Sequence, residues 1–291
     1  MPISDVAVFI ASCNTADATE LCVRTARRLA DYPFRLVVGD SGSTDGSLTV
    51  LADFEQRKWL TLETRPGSGH TEWLDKWHAA GTRGYAVFVD SDVEFRRRGW
   101  LRELVTTATR ENAALVCAEI LPETPNVIEP VGRVRIRAAR RPSPWLMLVD
   151  VEQTREVDVS FQWYSEQTDR VPEGVVGWDT GGRFLEELDQ RGLRIAAMPR
   201  SYQRCYHHYG GMSWIPLDAG HRGRQKELDL MRVRRHLARV RREDGESPGE
   251  TTSVQNLPTL AQELGLTALL RCRRLVDRGR TAGASLFRRR T

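Results

Sequence analysis

Long apolar runs are missing from this chain of 291 residues. None approaches the roughly 20 consecutive apolar residues that cross a bilayer as a helix, so no membrane span is expected. The N-terminus, MPISDVAVFIASCN, also lacks a basic stretch ahead of its first apolar run, and it reads as a core strand rather than a secretory leader. Cysteine is scarce and scattered. Cys13, Cys22, Cys117, Cys205 and Cys272 form no CxxC pair, which argues against a disulfide framework or a zinc site and for a reducing, cytoplasmic setting. No segment repeats. The hydrophobic content of 40% and aromatic content of 8% exclude a disordered chain.

Charge is unevenly placed behind a net +4. Residues 216–291 hold 17 Lys/Arg and 9 Asp/Glu, a balance of +8, whereas residues 1–215 hold 26 and 30, a balance of −4. A basic excess confined to the tail does not describe a nucleic-acid binder. The tail carries Leu230, Val233, Leu237 and Val240 at a/d spacing over residues 222–243, then a polar linker, then a second apolar segment with Leu260, Leu264, Leu269 and Leu270. It fits a homodimer surface, a basic helix pair on anionic lipid as a peripheral membrane contact, or a helical cap on the rest of the chain.

The first 120 residues alternate strand and helix. Strands are expected at 6–11, 34–38, 60–63, 85–89 and 113–119, and helices at 17–30, 44–56, 71–80 and 99–109. Trp73 and Trp77 stand four apart, on one face of their helix. This alternation implies an α/β fold with a parallel sheet covered by helices, whose ligands bind at the carboxyl ends of the strands. Residues 121–145 hold five prolines and five arginines and read as a loop or irregular insertion, either a solvated surface loop or a basic flap over an anionic substrate. Strand at 146–161, a helix over 177–191, a short strand at 194–197 and a loop over 200–214 follow.

Two stretches carry the chemistry. Residues 86–95, AVFVDSDVEF, run an apolar strand into Asp90-Ser91-Asp92 with no Lys or Arg between the acids. Two carboxylates so close repel each other, and a hard divalent cation is their natural partner. Residues 37–47, VVGDSGSTDGS, deliver Asp40 from a strand into a glycine turn and place Asp45 near a helix start. Each stretch also suits an ordinary strand end or capped turn. Their order carries more weight: strand and Asn14, then the Asp40 turn, then Asp90 fifty residues later.

That order resembles the family 2 glycosyltransferases. The matching pieces are VAVFIASCN (6–14), VVGDSGSTDGS (37–47), RPGSG (65–69), VFVDSD (87–92) and GWDTGGRFLEELDQRG (177–192). The resemblance covers roughly residues 4–215 and implies the GT-A fold, a Rossmann-like, mainly parallel twisted sheet flanked by helices, here with a C-terminal basic helical extension. It implies a nucleotide-sugar-binding half at 1–120, an acceptor-binding and catalytic half at 121–215, and the extension at 216–291. The family activity is transfer of a sugar, with inversion, from a nucleotide diphosphate donor to an acceptor hydroxyl, usually with Mn²⁺ or Mg²⁺.

The resemblance also implies roles. Ser12 and Asn14 would line the base pocket with Asp40, Gly42 and Ser43, Asp40 accepting from an imide N–H. That face favours UDP or dTDP donors. Gly67 and Gly69 would admit the donor closely, and Asp90 and Ser91 would lie near the ribose. Asp92 would bind the metal with His207 or His208, since adjacent residues on extended backbone point opposite ways. Asp179 would be the general base, although Asp there also suits a helix N-cap. Trp178 stands where the family often has Glu and would stack on an acceptor sugar, as would Trp214. His70 stands where the family often has a small residue.

The Gln-x-x-Arg-Trp motif of processive polysaccharide synthases is absent, so the expected enzyme adds one hexosyl or deoxyhexosyl unit, or a few, to a saccharide, a lipid-linked or a small-molecule acceptor. Two other readings stand beside it: a donor-binding scaffold without turnover, and a sugar nucleotidyltransferase. The second would be expected to carry a basic Gly-rich loop after its first strand, where this chain has the acidic ASCNTADATE.

Overall fold

The computed structural model describes residues 5–80, 83–128, 135–158, 160–169, 171–215, 217 and 219–246. Two compact units emerge, Met1–His208 and Tyr209–Thr291. The first opens with β1 (Val6–Ser12), α1 (Ala16–Leu29), β2 (Arg35–Asp40), α2 (Ser47–Gln56), β3 (Thr61–Thr64), α3 (His70–Ala80), β4 (Tyr85–Asp90), β5 (Val93–Phe95) and α4 (Trp100–Glu111). It continues with β6 (Leu115–Cys117), β7 (Ile120–Leu121), β8 (Thr124–Ile128), β9 (Arg135–Ala138), β10 (Arg141–Pro142), β11 (Leu146–Asp150) and α5 (Val151–Thr154). It closes with β12 (Tyr164–Gln167), β13 (Val175–Trp178), α6 (Gly182–Gln190), β14 (Ile195–Ala197) and β15 (Tyr206–His208).

The main sheet has the order β14-β6-β11-β4-β1-β2-β3. Its strands are near-continuous apolar runs because both faces are covered. Alternation divides them between two cores. Val8, Ile10, Val38, Val87 and Leu148 face α1 and α4, while Phe9, Val37, Phe88 and Met147 face Trp73, Trp77 and Phe184. β1 pairs in parallel with both β2 and β4, which sets Ser12 beside Asp40 and Ala11 beside Asp90. The three strand ends that bear the sequence motifs therefore open on one edge.

As expected the sheet is mainly parallel, with β11 antiparallel between β4 and β6. Strands from either side of residue 120 meet in this sheet and share its core. Two expectations need amending. Residues 121–145 are not merely irregular: β8 and β9 join β12 and β13 in a four-stranded sheet, and β10 pairs with β7. The helix expected from 177 begins at Gly182, since Val175–Trp178 is strand and Gly177 meets Ile136, the gap a Cβ would need being only 2.6 Å.

In the second unit, α7 (Gly220–Glu243) buries Leu228, Val233, Leu237 and Val240. Tyr209 Oη lies 3.3 Å from His236 Nδ1, and Lys226 Nζ donates to the Ile215 carbonyl. The second apolar segment of the tail lies outside the described residues.

Close packing behind the second motif supplies a stability test. Trp73 and Trp77 stack at 5.0 Å, and a Cβ on Gly39 would sit 2.7 Å from ring atoms of both. Trp73 Nε1 also donates to Ser41 Oγ. Gly39→Ala should cost about 1–3 kcal/mol by overpacking, read as a lower urea midpoint with an altered tryptophan near-UV signal. An unchanged midpoint would mean that the indoles do not press on β2.

Candidate active site

β4 ends at Asp90, a two-residue turn follows, and β5 starts at Val93. β15 pairs antiparallel with β5, setting His208 opposite Val93 and His207 opposite Glu94. This register selects between the histidines. His208 Nε2 lies 3.2 Å from Asp92 Oδ1 and 3.4 Å from Asp90 Oδ2, and the three side chains offer ligand atoms within 4.8 Å of one another. His207 is outside that group, because the strand turns alternate side chains to opposite faces. Trp145 stacks on the His208 ring at 4.8 Å and donates to Tyr206 Oη, which fixes the imidazole plane.

Asp90, expected near the ribose, is the third member of that group. Its Oδ1 is buried and accepts no hydrogen bond among the described residues, while His70 Nε2 stands 3.5 Å away. An orphaned buried carboxylate oxygen is costly unless a ligand completes it. Together with Asp92 and His208 it offers the oxygen and imidazole donors that suit Mn²⁺ and are open to Mg²⁺. Burial alone would raise the Asp90 carboxyl, but His70 and His208 outweigh it and hold it below the usual range. Burial would likewise lower His208, yet hydrogen bonds and charge from Asp90 and Asp92 push it up to about 9.

Asp40 is fully buried, and its carboxylate is taken up by its own turn. Oδ1 accepts from the Gly42 and Ser43 amides at 2.9 and 2.7 Å, and Oδ2 from Ser43 Oγ at 2.6 Å. Gly42 supplies the turn with a φ of 94°. Ser43 Oγ in turn accepts from the Asn14 amide, and Asn14 Oδ1 accepts from the Thr44 amide. Asp45 Oδ2 receives the Ala16 amide and its Oδ1 receives Ser47, so one carboxylate serves the starts of α1 and α2. Thr15 Oγ1 then contacts Ser91 Oγ at 3.1 Å and Thr19 at 2.9 Å, and Ser12 contacts Thr19. The two acidic turns thus belong to one polar relay. Gly67 donates its amide to the Ser41 carbonyl with a φ of 78°, and Gly69 accepts from Trp73 at the start of α3.

Asp179 follows β13. Its side chain is half exposed, its Oδ1 accepts from the Thr180 amide, and its Oδ2 lies 3.2 Å from Arg141 Nη1. Sequence reasoning placed Arg141 in a basic segment but did not pair it with Asp179, because the two are 38 residues apart in the chain. Trp178 is turned elsewhere. It lines a cleft of about 640 Å³ with Arg137, Arg140 and Arg183, and neither Asp179 nor the Asp90 group borders that cleft. Arg183 covers its ring and Tyr164 leans against it. Trp214 belongs to the second unit, where it is exposed.

The His208 charge has a measurable consequence in metal-free protein. A group raised from 6.5 to about 9 contributes stability that is complete below 6.5 and lost as pH rises through 9. Denaturant midpoints should fall over that window more steeply in the wild type than in His208→Asn. Parallel curves would show that the imidazolium adds nothing to the fold.

The whole chain can now be set beside known proteins. The family model for glycosyl transferase family 2 matches residues 7–157. No curated protein matches the sequence. Among solved structures, a mannosyltransferase from Pyrobaculum calidifontis, in complex with GDP-Man and Mn²⁺, is 18% identical with a TM-score of 0.52, over 81% of this chain and 64% of that one. This chain therefore spans less than two thirds of that protein. Glucosyl-3-phosphoglycerate synthase from Mycobacterium tuberculosis, in complex with Mn²⁺, UDP and phosphoglyceric acid, is 18% identical with a TM-score of 0.45, over 80% and 78% of the two chains. TarS of S. aureus is 12% identical with a TM-score of 0.40, over 82% and 88%. None of the helices among the described residues is long and apolar enough to cross a membrane. With its motifs at the open edge of a GT-A sheet and just over half its length matched by the family model, the chain belongs to glycosyl transferase family 2.

Proposed function

We propose that this protein is a metal-dependent, inverting glycosyltransferase that moves a hexosyl or deoxyhexosyl unit from a nucleotide diphosphate donor to an acceptor hydroxyl. The observation that carries the reading is the Asp90–Asp92–His208 group, with its unsatisfied buried oxygen, at the strand ends where α/β sheets bind ligands. Those three residues would hold Mn²⁺ or Mg²⁺. When bound, such a cation neutralises charge on the departing diphosphate.

The remaining roles fall to the chain itself. The loop of Ser12 and Asn14 and the turn of Gly42 and Ser43 form the nucleotide pocket. Asp40 holds that turn in shape, its carboxylate already occupied by three donors. Asp40 is fully buried, so it serves the donor through the turn it shapes, and UDP and dTDP remain the favoured donors of this reading. The fold-related mannosyltransferase was solved with GDP-Man, so a guanine donor belongs in any screen. Gly67 and Gly69 border the donor, and Ser91 and Asp90 face its ribose side. Asp179 takes the proton from the acceptor hydroxyl, being a half-exposed carboxylate at the turn into α6. Acceptors within reach of the reading are saccharides, lipid-linked intermediates and small hydroxyl compounds.

Thermal-shift screening of nucleotide sugars with and without Mn²⁺ identifies the donor, since selective binding raises apparent stability. Asp92→Ala should abolish the Mn²⁺-dependent shift. Asp179→Asn should keep the shift and lose transfer by about 10²–10⁴-fold, the usual contribution of a general base. A wild type that binds donor without ever consuming it would instead favour the scaffold reading.

A further inference from the structure

We infer that Arg141 is an acceptor-binding residue and that the acceptor bears an oxyanion, a carboxylate or a phosphate, close to the hydroxyl that is glycosylated. The inference rests on Asp179 as the base. Asp179 is engaged at both oxygens, Oδ1 by the Thr180 amide and Oδ2 by the Arg141 guanidinium, so the side of Oδ2 toward Arg141 is taken while that pair stands. An incoming hydroxyl competes with that guanidinium for the same oxygen.

The contact is built in. Arg141 and Pro142 form β10, paired with β7, and the next residue, Ser143, is fully buried with its amide on the Glu119 carbonyl and its hydroxyl accepting from the Glu119 amide. Pro142 packs under the Asp179 turn, where a Cβ on Gly181 would come within 3.1 Å of its ring. The backbone segments that carry the two side chains are therefore packed against each other. Its neighbours in sequence have different partners. Arg137 is forked between Glu123 and Glu173, and Arg140 is paired with Asp189. Arg141 instead meets the one carboxylate to which a catalytic role falls.

A guanidinium binds carboxylate or phosphate bidentately in preference to a single-contact partner. Arg141 touches Asp179 through Nη1, one of five N–H donors spread over three nitrogens. An oxyanion on the acceptor would draw Arg141 onto itself and release Oδ2. The acceptor O–H then gives its proton to Asp179, its oxygen forms a bond to the anomeric carbon, and the bond from that carbon to the diphosphate breaks with its electron pair leaving on the diphosphate. A neutral acceptor, or water, would find the base still held. Arg141 thus couples recognition of the acceptor to availability of the base, and guards the donor against hydrolysis.

The test separates anion binding from catalysis by using full-length wild type, Arg141→Gln, Arg141→Lys and Asp179→Asn. Titration calorimetry with methylphosphonate and with formate needs no turnover. Asp179→Asn, which removes the internal competitor, should bind the anions at least fivefold more tightly than wild type. Arg141→Gln should bind at least tenfold more weakly, with Arg141→Lys between. Whichever anion shows the larger change assigns the group as phosphate-like or carboxylate. Equal affinities in wild type and Asp179→Asn would overturn the inference. Donor hydrolysis in Mg²⁺ supplies the second arm. Wild-type hydrolysis should rise severalfold and saturably with the anion, while Arg141→Gln, with its base uncovered, should start at the raised rate and not respond. A slower Arg141→Gln enzyme would also overturn it. Anion-stimulated hydrolysis by Asp179→Asn equal to that of wild type would remove the base role while leaving the calorimetric result standing.

Discussion

Repulsion between two carboxylates at the end of a buried strand is the constraint around which this molecule is arranged. Asp90 and Asp92 stand one residue apart, where the apolar β4 gives out, and the sequence between them supplies no cation. The answer comes from the far end of the unit: β15 pairs with β5 and brings His208 to within 3.2–3.4 Å of both acids. Without that pairing the cluster would hold two like charges and no counter-charge beyond His70. With it, the group has the mixed oxygen and imidazole character that suits a divalent ion of intermediate hardness. Trp145, stacked on the imidazole and tied to Tyr206, removes the ring's freedom before any ligand arrives, and such preorganisation is what a ligand site needs from its supporting residues.

A second set of contacts joins this cluster to the nucleotide side. From Asp40 the hydrogen bonds pass to Ser43, from Ser43 to Asn14, and at the neighbouring Thr15 they cross to Ser91 between the two acids. Most of these groups are hydroxyls, which donate and accept at once and so can close a loop of contacts without leaving a charge over. Parallel pairing of β1 with both β2 and β4 makes the relay short, because it sets all three strand ends level. Tryptophans 73 and 77 support it from beneath through Ser41 and the bare face of Gly39.

Most of the first 120 residues were legible in sequence because strands buried on both faces announce themselves as unbroken apolar runs and helices as 3.6-residue stripes. Direction is not written in such a run, so nothing in LMLVD revealed that β11 enters antiparallel. The strands between 120 and 142 escaped notice because Pro and Arg dominate there and the strand faces are largely exposed. The choice between His207 and His208 depended on a strand register set more than a hundred residues away, which no local pattern encodes. The pairing of Arg141 with Asp179 was hidden for the same reason, although the basic character of its segment was plain. Asp40 was found by its motif, but a motif does not show how many of a carboxylate's lone pairs are already spent.

That last accounting separates the acids more sharply than their motifs do. Asp40 and Asp90 both end buried parallel strands that lie one β1 apart, and the sequence offers little to tell them apart. Asp40 accepts three donors from its own turn and has become part of the backbone scaffold. Asp90 keeps one buried oxygen that accepts no hydrogen bond among the described residues, with only His70 Nε2 at 3.5 Å, in a place where leaving an acceptor unsatisfied is expensive. A fold that satisfies the one so completely could have satisfied the other with a single amide or hydroxyl, and Ser91 next door turns its hydroxyl to Thr15 instead. The deficit at Asp90 is therefore a property of the site, and it is the feature on which the proposed cation site rests. Asp179 falls between these extremes: its partner is a long, mobile-headed side chain rather than a fixed amide, so the hold on it can be released by a competing anion, whereas the hold on Asp40 could be released only by unmaking the turn.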